Sequence, residues 1–390
     1  MRILGIIAEY NPLHRGHLYQ LEEAKRLSGA EGVIVVMSGS FTQRGEPALT
    51  DKYRRAAMAL AAGADAVLEL PPAAATGSAG NFAAGAVGIL KACGCVTDLS
   101  FGSECGDPAL LRQGAEALSA LEDSALVKAA LKAGASYPRA VAEALRQTAP
   151  ELSALTEGPN DTLALEYLRA LKRQDFAPAV HPVKRQGAGH GEETLREGRF
   201  AGAGAIRQAL RTGTPREQLK AWLPDFSLER LDYALGDKAL FALLVYRLLE
   251  LEREGRELTA FDDVPGDLAA RLREAYPRCG SFRELTEQAA TKAFTQARVR
   301  RALIHILLDL PEGAGKQPPT ALKLLGLRKD SPVPGLLKKT AKLPLVTKTA
   351  DAPPELVRDT AYSAAVYNLL VRAECGLTLP SDHLKSPEIL

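Results

Sequence analysis

The sequence has few of the features that mark secreted or membrane proteins. It has 5 cysteines in 390 residues, and aromatic side chains make up only 5% of it. Cys93 and Cys95 are too close for an ordinary bridge, and the other cysteines are isolated, so we expect reduced thiols. No apolar run reaches the roughly 20 residues that a membrane helix needs. Met1 and Arg2 lead directly into a predicted strand rather than a signal peptide. We therefore expect a cytoplasmic protein without a membrane segment.

The sequence also lacks a strong excess of charge of either sign. Its 49 basic and 47 acidic residues give a net charge of +2. This excludes a protein that is basic throughout, so any nucleic-acid surface must be a local patch. The apolar fraction of 46% and the charged fraction of 25% are those of an ordinary globular protein. The length allows two or three domains and leaves the oligomeric state open.

The first part of the chain alternates predicted strands and helices. Apolar runs predict strands over 3–9, 32–37, 66–70, 97–101 and 177–183. Helical periodicity and cap residues predict helices over 16–27, 50–62, 81–92, 162–171 and 203–211, with Thr50 as one N-cap. This order predicts an α/β fold with a parallel sheet covered on both faces. Because ligands of such sheets bind at the carboxyl ends of the strands, we expect the turns after these strands to converge there.

From about residue 214 the pattern becomes nearly all helical. Helices are predicted over 226–253, 268–276, 281–310 and 354–373. The change predicts a domain boundary between 1–213 and 214–390, and the sequence does not decide whether the helical part is one domain or two.

The most distinctive segment is Asn11-Pro12-Leu13-His14-Arg15-Gly16-His17, which follows the first predicted strand. A helix is predicted to begin near Gly16, and a helix start offers free N–H groups and the positive end of its dipole. Gly16 lets a ligand approach the backbone, and His14 and His17 can donate to phosphate oxygens. The pattern predicts a polyphosphate site. No third ligand lies nearby, which disfavours a metal site at the histidines.

This turn resembles the H-x-G-H signature of the nucleotidyltransferase superfamily. In that superfamily the two histidines stabilise the transition state when a nucleophile attacks the α-phosphate of ATP and pyrophosphate leaves. Further segments extend the resemblance along almost the whole chain. Together they are similar, in order, to the bacterial tRNA(Met) cytidine acetate ligase family: 9–17, 37–48, 63–65, 69–71, 101–104, 158–161, 184–189, 295–301 and 342–348.

The resemblance implies an enzyme that activates acetate with ATP as acetyl-adenylate. It then transfers the acetyl group to N4 of the wobble cytidine of elongator tRNA(Met). It also implies a Rossmann-like nucleotidyltransferase domain followed by a mostly helical tRNA-binding domain. We expect Mg²⁺ to help neutralise the triphosphate, and the sequence names no dedicated ligand for it. His14 and His17 would be catalytic. The ATP contacts would fall on Ile7, Ala8, Glu9, Tyr10, Asn11, Pro12, Leu13, His14, Arg15, Gly16, His17, Leu18, Tyr19, Gln20, Gly102, Asn160 and Arg185.

The residue types at the later positions suit these roles but allow simpler interpretations. Gly102 at a strand end would let adenine or ribose lie against the backbone, or it simply permits a tight turn. Arg185 suits a phosphate fork or a solvated surface position. Asn160 contacts the nucleotide or only caps its helix. Other polar side chains lie on a loop that could cover the site: Ser38, Ser40, Gln43 and Arg44.

Two stretches depart from the pattern. The superfamily often has a hydroxyl-rich segment before a late helix, where this chain has Ala201-Gly202-Ala203-Gly204-Ala205 followed by Ile206 and Arg207. Backbone N–H groups at the glycines could replace the missing hydroxyls. Gly189-His190-Gly191 is a second variant, since family members commonly have a tyrosine near His190.

Basic residues in the helical part form the candidate RNA surface. Four fall on one predicted helix with no acid between them, and others follow in a segment with one acid, Asp330. The candidates are Lys292, Arg298, Arg300, Arg301, Lys338, Lys339, Lys342 and Lys348. Such clusters suit phosphate contacts, although a solvated helix face is the usual explanation of a charge run.

Two other functions remain open at this point. A small-molecule adenylyltransferase would share the first domain, but it would not need the long helical part. A non-catalytic RNA-binding module would bind RNA in a salt-dependent manner and release no pyrophosphate.

Overall fold

A computed structural model describes residues 1–186, 195 and 200–390. The strands in this part of the chain are β1 (Ile3–Ala8), β2 (Gly32–Ser38), β3 (Phe41–Thr42), β4 (Glu46–Pro47), β5 (Ala66–Leu70), β6 (Asp98–Ser103), β7 (Ala179–Lys184), β8 (Leu322–Leu327), β9 (Leu345–Val346) and β10 (Glu388–Ile389). The main sheet has the order β10-β8-β5-β2-β1-β6-β7, and β9 pairs with β8 beside this path.

Five neighbouring strands of the sheet are parallel, namely β5, β2, β1, β6 and β7. β1 lies in the middle and consists of Ile-Leu-Gly-Ile-Ile-Ala, which is apolar on both faces. A continuous apolar strand is stable only when helices cover both sides of the sheet. These are the five strands predicted from the sequence, and the α/β prediction is confirmed.

The helices are α1 (Arg15–Ser28), α2 (Lys52–Ala61), α3 (Pro72–Ala75), α4 (Ala79–Ala92), α5 (Pro108–Leu121), α6 (Ala125–Lys132), α7 (Tyr137–Thr148), α8 (Pro159–Arg173), α9 (Ala203–Arg211), α10 (Asp225–Leu228), α11 (Lys238–Glu254), α12 (Gly266–Ala275), α13 (Phe282–Ala289), α14 (Gln296–Leu307), α15 (Val333–Thr340) and α16 (Pro354–Cys375). α1 and α2 pack on one face of the sheet. α4, α5, α7 and α8 pack on the other face.

Two cap predictions are wrong. α2 begins later than expected, and Asp51 rather than Thr50 is its N-cap, with its carboxylate accepting from the N–H groups of Tyr53 and Arg54. Asn160 does not cap α8 but lies in its first turn, where Gly158 is the N-cap. In both cases the prediction placed the boundary by residue type alone, whereas the backbone geometry fixes the cap.

The second half of the chain is less uniformly helical than the sequence suggested. The helix predicted over 226–253 is interrupted, because Leu235 N–H bonds to Leu49 O and Gly236 N–H bonds to Glu374. The helix predicted over 281–310 is interrupted before Thr295, which caps α14. Tertiary hydrogen bonds thus account for the first of the two breaks, and a new N-cap marks the second.

The chain also returns to the sheet after its helical body. β8 pairs antiparallel with β5, and β10 pairs with β8, so the prediction of a nearly all-helical segment after residue 214 missed these strands. Asp382 accepts a hydrogen bond from Tyr53 and forms an ion pair with Lys52 on α2. The two halves therefore share one sheet, while the boundary near residue 214 itself stays a prediction.

Candidate functional site

The candidate site lies at the carboxyl ends of β1, β6 and β7. The chain leaves β1 toward β2 on one side, and β6 lies on the other side of β1. Such a reversal of strand order opens a crevice beyond the carboxyl ends, which is where open α/β sheets bind ligands. The turn that contains His14 and His17 borders this crevice.

The two histidines form a compact pair at the start of α1. His14 is the N-cap, and its Nδ1 accepts from the Gly16 N–H at 3.1 Å. His17 Nδ1 accepts from the His14 N–H at 3.4 Å, and the two rings stack with their centroids 3.7 Å apart. Because Nδ1 of His14 accepts a hydrogen bond, the ring proton of this neutral imidazole lies on Nε2. The pair therefore offers N–H donors on short, fixed side chains.

Both imidazoles are held neutral. Burial lowers the pKa of His17 to about 3, with the Arg185 charge adding to the shift and the Pro12 carbonyl opposing it. Burial also lowers the pKa of His14 well below its ordinary value, and the neighbouring His17 and the charges of Arg185 and Arg207 contribute. At neutral pH both side chains can donate to an anion but are very weak bases.

The backbone at this helix start differs from the expectation of free N–H groups. Arg15 N–H donates to Trp222 O at 2.9 Å, and the N–H groups of His17 and Leu18 donate to His14 O. Since the Gly16 N–H donates to His14, the first turn of α1 is already satisfied. An anion that binds at this turn is therefore contacted by the imidazole rings rather than by the backbone N–H groups.

The rest of the predicted ATP segment divides into core and surface. Ile7, Tyr10 and Leu13 are buried in the core, so their side chains are not available to a ligand. Asn11 is also buried, and its side chain accepts from the Leu49 N–H. Tyr19 stacks on Phe200 with ring centroids 5.6 Å apart. The remaining members of the segment lie at the end of β1, in the turn or on the first turns of α1.

The structure brings Gly102, Asn160 and Arg185 to the same crevice as the histidines. Among the described atoms, an added Cβ at Gly102 would meet only Arg185 Cγ at 3.7 Å, so these residues leave space above this strand end. Arg185 Nη1 donates to Asn160 Oδ1 at 3.4 Å. The influence of Arg185 on both histidine pKa values places its charge beside them. The sequence predicted these three residues, and their roles toward a nucleotide stay proposals.

Two acidic residues that were assigned no role hold this part of the crevice in place. Glu104 accepts from the N–H groups of Asn160 and Asp161 and from the Asn160 amide at 2.6 Å. Asp161 in turn accepts from Ser103 Oγ and from the N–H groups of Glu104 and Cys105. The start of α8 and the turn after β6 therefore fix each other. The only sequence signal was that both residues lie in family-like segments.

Arg55 is a second residue that sequence reasoning missed. It is completely buried and donates to the carbonyl oxygens of Glu9 at 2.8 Å, Ser38 at 3.0 Å and Thr50 at 3.1 Å. It also donates to Gly39 O. One planar guanidinium thus joins the ends of β1 and β2 to the start of α2. Arginine on a predicted helix is usually exposed, so no local signal could reveal this position.

A hairpin of β3 and β4 lies beside the crevice and includes the loop expected to cover the site. The Gln43 N–H donates to Glu9 at 2.7 Å, and Ser38 and Ser40 are buried. Glu46 pairs with the buried Arg207 at 3.0 Å, while Arg207 also donates to Asn11 O at 2.9 Å. The histidine turn is therefore supported from both the hairpin and α9.

The start of α9 is open where the sequence lacks hydroxyl side chains. Gly202 is the N-cap, and no side chain of residues 1–186, 195 and 200–390 caps this helix. Added Cβ atoms at Gly202 and Gly204 would meet no atom of the described residues within 4 Å. The variant at 189–191 and the end of the family-like segment 184–189 lie outside the described residues.

The candidate RNA-binding residues do not form one patch. Arg298 and Arg301 both pair with Asp263, at 2.9 Å and 3.8 Å, and Arg300 packs its backbone against Gly45 of the hairpin. Lys292 lies in the turn before α14, not on the helix that was predicted to hold it.

The lysines of α15 lie near the amino ends of the strands, opposite the crevice. Val333 of α15 packs near Gly32 at the start of β2, and Thr340 donates to Cys93 O ahead of β6. Lys338, Lys339 and Lys348 are exposed. The crevice lies at the carboxyl ends of the strands, whereas α15 packs near their amino ends. The length of the strands therefore separates the lysines of α15 from the histidines.

No group of three or more His, Cys, Asp or Glu side chains that could hold a metal occurs among residues 1–186, 195 and 200–390. In the described part of the chain, none of the helices has the length and apolar character required to cross a bilayer.

Comparison with known proteins gives one consistent result. A family model described as HIGH nucleotidyl transferase matches residues 1–378. The tRNA(Met) cytidine acetate ligase of Lysinibacillus sphaericus is 33% identical, covering 99% of this chain and 99% of its own. That of Caldanaerobacter subterraneus is 38% identical over 90% of this chain and 89% of its own.

Solved structures agree. Thermotoga maritima TmcAL bound with α-thio ATP is 30% identical and covers 100% of both chains with a TM-score of 0.89. Its apo form is 31% identical, with a TM-score of 0.90. The chain therefore belongs to the HIGH nucleotidyl transferase family and, within it, to the tRNA(Met) cytidine acetate ligases.

Proposed function

We propose that this chain activates acetate with ATP and transfers the acetyl group to N4 of the wobble cytidine of elongator tRNA(Met). The observation that carries the proposal is the pair of neutral, backbone-anchored histidines at the crevice, in a chain whose ligase relative it matches over 99% of both lengths. A ligase that forms an acyl-adenylate needs donors aimed at the α-phosphate, and this pair supplies them.

In the first step an acetate oxygen attacks the α-phosphorus of ATP, and the bond to the bridging oxygen of pyrophosphate breaks. Negative charge then grows on the phosphate oxygens and on the leaving group. The imidazole N–H groups of His14 and His17 donate to this charge without having to reorganise, because the protein backbone and ring stacking fix them. Preorganised donors of this kind typically contribute about 10²–10³ in rate.

The neighbouring residues would hold the nucleotide. We assign the ribose and adenine to the open strand end at Gly102, near Asn160, and a phosphate to Arg185. The uncapped start of α9 offers backbone N–H groups for the triphosphate in place of the missing hydroxyls. Mg²⁺ would enter with the triphosphate, because the described residues offer no cluster of ligands for it.

In the second step cytidine N4 attacks the acetyl carbon of acetyl-adenylate, and AMP leaves. The anticodon must reach the crevice, and the basic residues of α14 next to the hairpin would contact nearby phosphates. The lysines opposite the crevice would contact RNA farther from the wobble base. Since tRNA and ATP are substrates, we place the enzyme in the cytoplasm.

The test is to incubate the protein with ATP, ¹⁴C-acetate and unmodified tRNA(Met). We expect acetate-dependent release of pyrophosphate and label in the RNA. A tRNA(Met) with uridine at the wobble position lacks N4, so it should remain unlabelled. If the wobble-cytidine tRNA also stays unlabelled, the proposed function is wrong.

The small-molecule adenylyltransferase predicts a different result, namely pyrophosphate release that needs a nucleotide-like acceptor and no acetate. A non-catalytic RNA-binding module predicts salt-sensitive tRNA binding with no pyrophosphate at all. The same incubation therefore separates the three functions.

A further inference from the structure

The transfer of the acetyl group requires a proton acceptor. When N4 attacks the acetyl carbon, the nitrogen becomes positively charged in the tetrahedral intermediate and must lose a proton before the amide is stable. The histidines are unsuited to take it, because burial keeps their pKa values low and Nδ1 of His14 is already occupied. Another group at the crevice must accept this proton.

We propose that Glu9 is this general base: its free carboxylate oxygen takes the proton from cytidine N4 during acetyl transfer. The proposal rests on the proposed function. Glu9 follows the last residue of β1 and lies five positions before His14, at the strand end that opens on the crevice.

The contacts that Glu9 makes with the described residues leave one of its carboxylate oxygens without a hydrogen bond. Its Oε1 accepts from the Gln43 N–H at 2.7 Å, and its own carbonyl is held by Arg55 at 2.8 Å. The side chain is half-buried, so part of it remains exposed at the strand end that borders the crevice. An anchored carboxylate with one open oxygen is the arrangement that a general base needs.

The other described acids around the crevice are already engaged. Glu104 and Asp161 use their oxygens to accept from backbone N–H groups. Glu46 pairs with Arg207 and Arg211, and Glu69 pairs with Lys52. Within residues 1–186, 195 and 200–390, Glu9 is the acid at this edge of the sheet with an oxygen left over.

The surroundings also tune Glu9 as a base. Burial raises its pKa and Glu46 on β4 adds to this, while the Gln43 N–H and the charges of Arg207 and Arg44 oppose it. Among the described residues, Arg55 on α2 and the Tyr167 hydroxyl on α8 also interact electrostatically with Glu9. A carboxylate with a raised pKa is a stronger proton acceptor than an exposed one.

The experiment separates activation from transfer in the full-length chain. Hydroxylamine attacks acetyl-adenylate without needing an enzymic base, so acetohydroxamate reports the first step. Acetylated tRNA(Met) reports both steps. We compare the two products for the wild type, for Glu9→Gln, whose amide oxygen can still accept from Gln43, and for Glu22→Gln, an exposed matched control on α1.

We expect Glu9→Gln to lower the ratio of acetylated tRNA to hydroxamate by at least about 100-fold. Glu22→Gln should leave the ratio unchanged. An unchanged ratio for Glu9→Gln, or an equal loss of both products, would overturn the assignment. Absence of hydroxamate with the wild type would instead contradict the proposed function, so the two failures are distinguishable.

A second measurement does not depend on the folding of the variant. In the wild type, single-turnover transfer should rise with pH through a pKa above the ordinary range of glutamate, while hydroxamate formation does not follow this profile. Transfer that is independent of pH in this range would also overturn the assignment. Glu9→Asp should restore part of the rate and keep the profile.

Discussion

The crevice and the basic surfaces of the second half use charged and polar side chains in opposite ways. At the crevice, His14, Glu104 and Arg55 are each fixed by hydrogen bonds to backbone groups. On α15, Lys338 and Lys339 are exposed at the surface. The side chains of the first region are held in fixed positions, whereas the lysines of the second carry charge on side chains that are free to move at the surface.

This difference teaches what each region can do. A fixed donor can be aimed at one developing charge, which lowers a reaction barrier. An unrestrained lysine attracts phosphates from many directions, so it contributes affinity that depends on salt. Changes at the crevice should therefore alter rates or stability sharply, whereas changes on the lysine surface should alter binding gradually.

The largest effect is expected for His14→Ala. Removing this donor should lower the rate of acetyl-adenylate formation by about 10²–10³-fold, because alanine cannot donate to the charge that develops on the α-phosphate. Hydroxamate formation measures the step, and filter binding should show tRNA affinity within a factor of about two of the wild type. His383→Ala is the control, since His383 is exposed and far along the chain. A variant that keeps its activation rate would contradict the role of His14.

The next effect concerns Arg55 and its neighbour Arg54. Arg55→Lys keeps the charge but loses the fork that binds several carbonyls, so we expect a loss of about 3 kcal/mol in the free energy of unfolding. Arg54→Lys should cost less than about 1 kcal/mol, because Arg54 is partly exposed and pairs with Asp51 and Asp232. Urea denaturation measures both. Equal costs would show that burial of Arg55 is not what holds the strand ends.

A third effect follows from the lowered pKa values of the histidines. Their ordinary pKa is 6.5, so below this pH the unfolded chain binds protons that the folded chain does not. Stability is therefore complete above pH 6.5 and falls as the pH drops toward 3, by up to about 1.4 kcal/mol per pH unit for each histidine.

His17→Asn should remove one histidine's share of this slope as the pH falls below the ordinary histidine pKa. Unfolding free energies at several pH values provide the measurement. The same slope in the wild type and in His17→Asn would mean that His17 is not held neutral in the folded state.

The smallest effect is expected on the lysine surface. Replacing Lys338, Lys339 and Lys342 together by alanine should weaken tRNA binding several-fold and leave hydroxamate formation intact. The slope of log affinity against log salt should fall by about 0.7–0.9 for each phosphate that the lysines no longer neutralise. Lys128→Ala with Lys132→Ala on α6 is the matched control. If the salt dependence of binding is the same in the variant and the wild type, these lysines do not contact RNA, and the basic residues of α14 remain as the candidates.

Much of the fold could be predicted because the signals are local. β5 and α9 were predicted at their observed bounds, since Pro71 ends the first and glycines precede the second. The interruption before α11 could not be predicted, because it depends on bonds to Leu49 and Glu374 that lie far away in sequence. β8 was missed because its six residues include Lys323 and Gly326 and give no clear strand pattern, and its pairing with β5 is a distant contact.

The candidate site shows the same division. The sequence by itself determined the histidine pair, because strand, turn and helix start follow one another within 17 residues. Only the tertiary structure decided that Trp222 O occupies the Arg15 N–H, that Arg55 joins two strand ends, and that Glu9 accepts from the Gln43 N–H through one oxygen. The physical reason is that local backbone preference places residues on an element, whereas burial and hydrogen-bond partners depend on which distant elements pack against it.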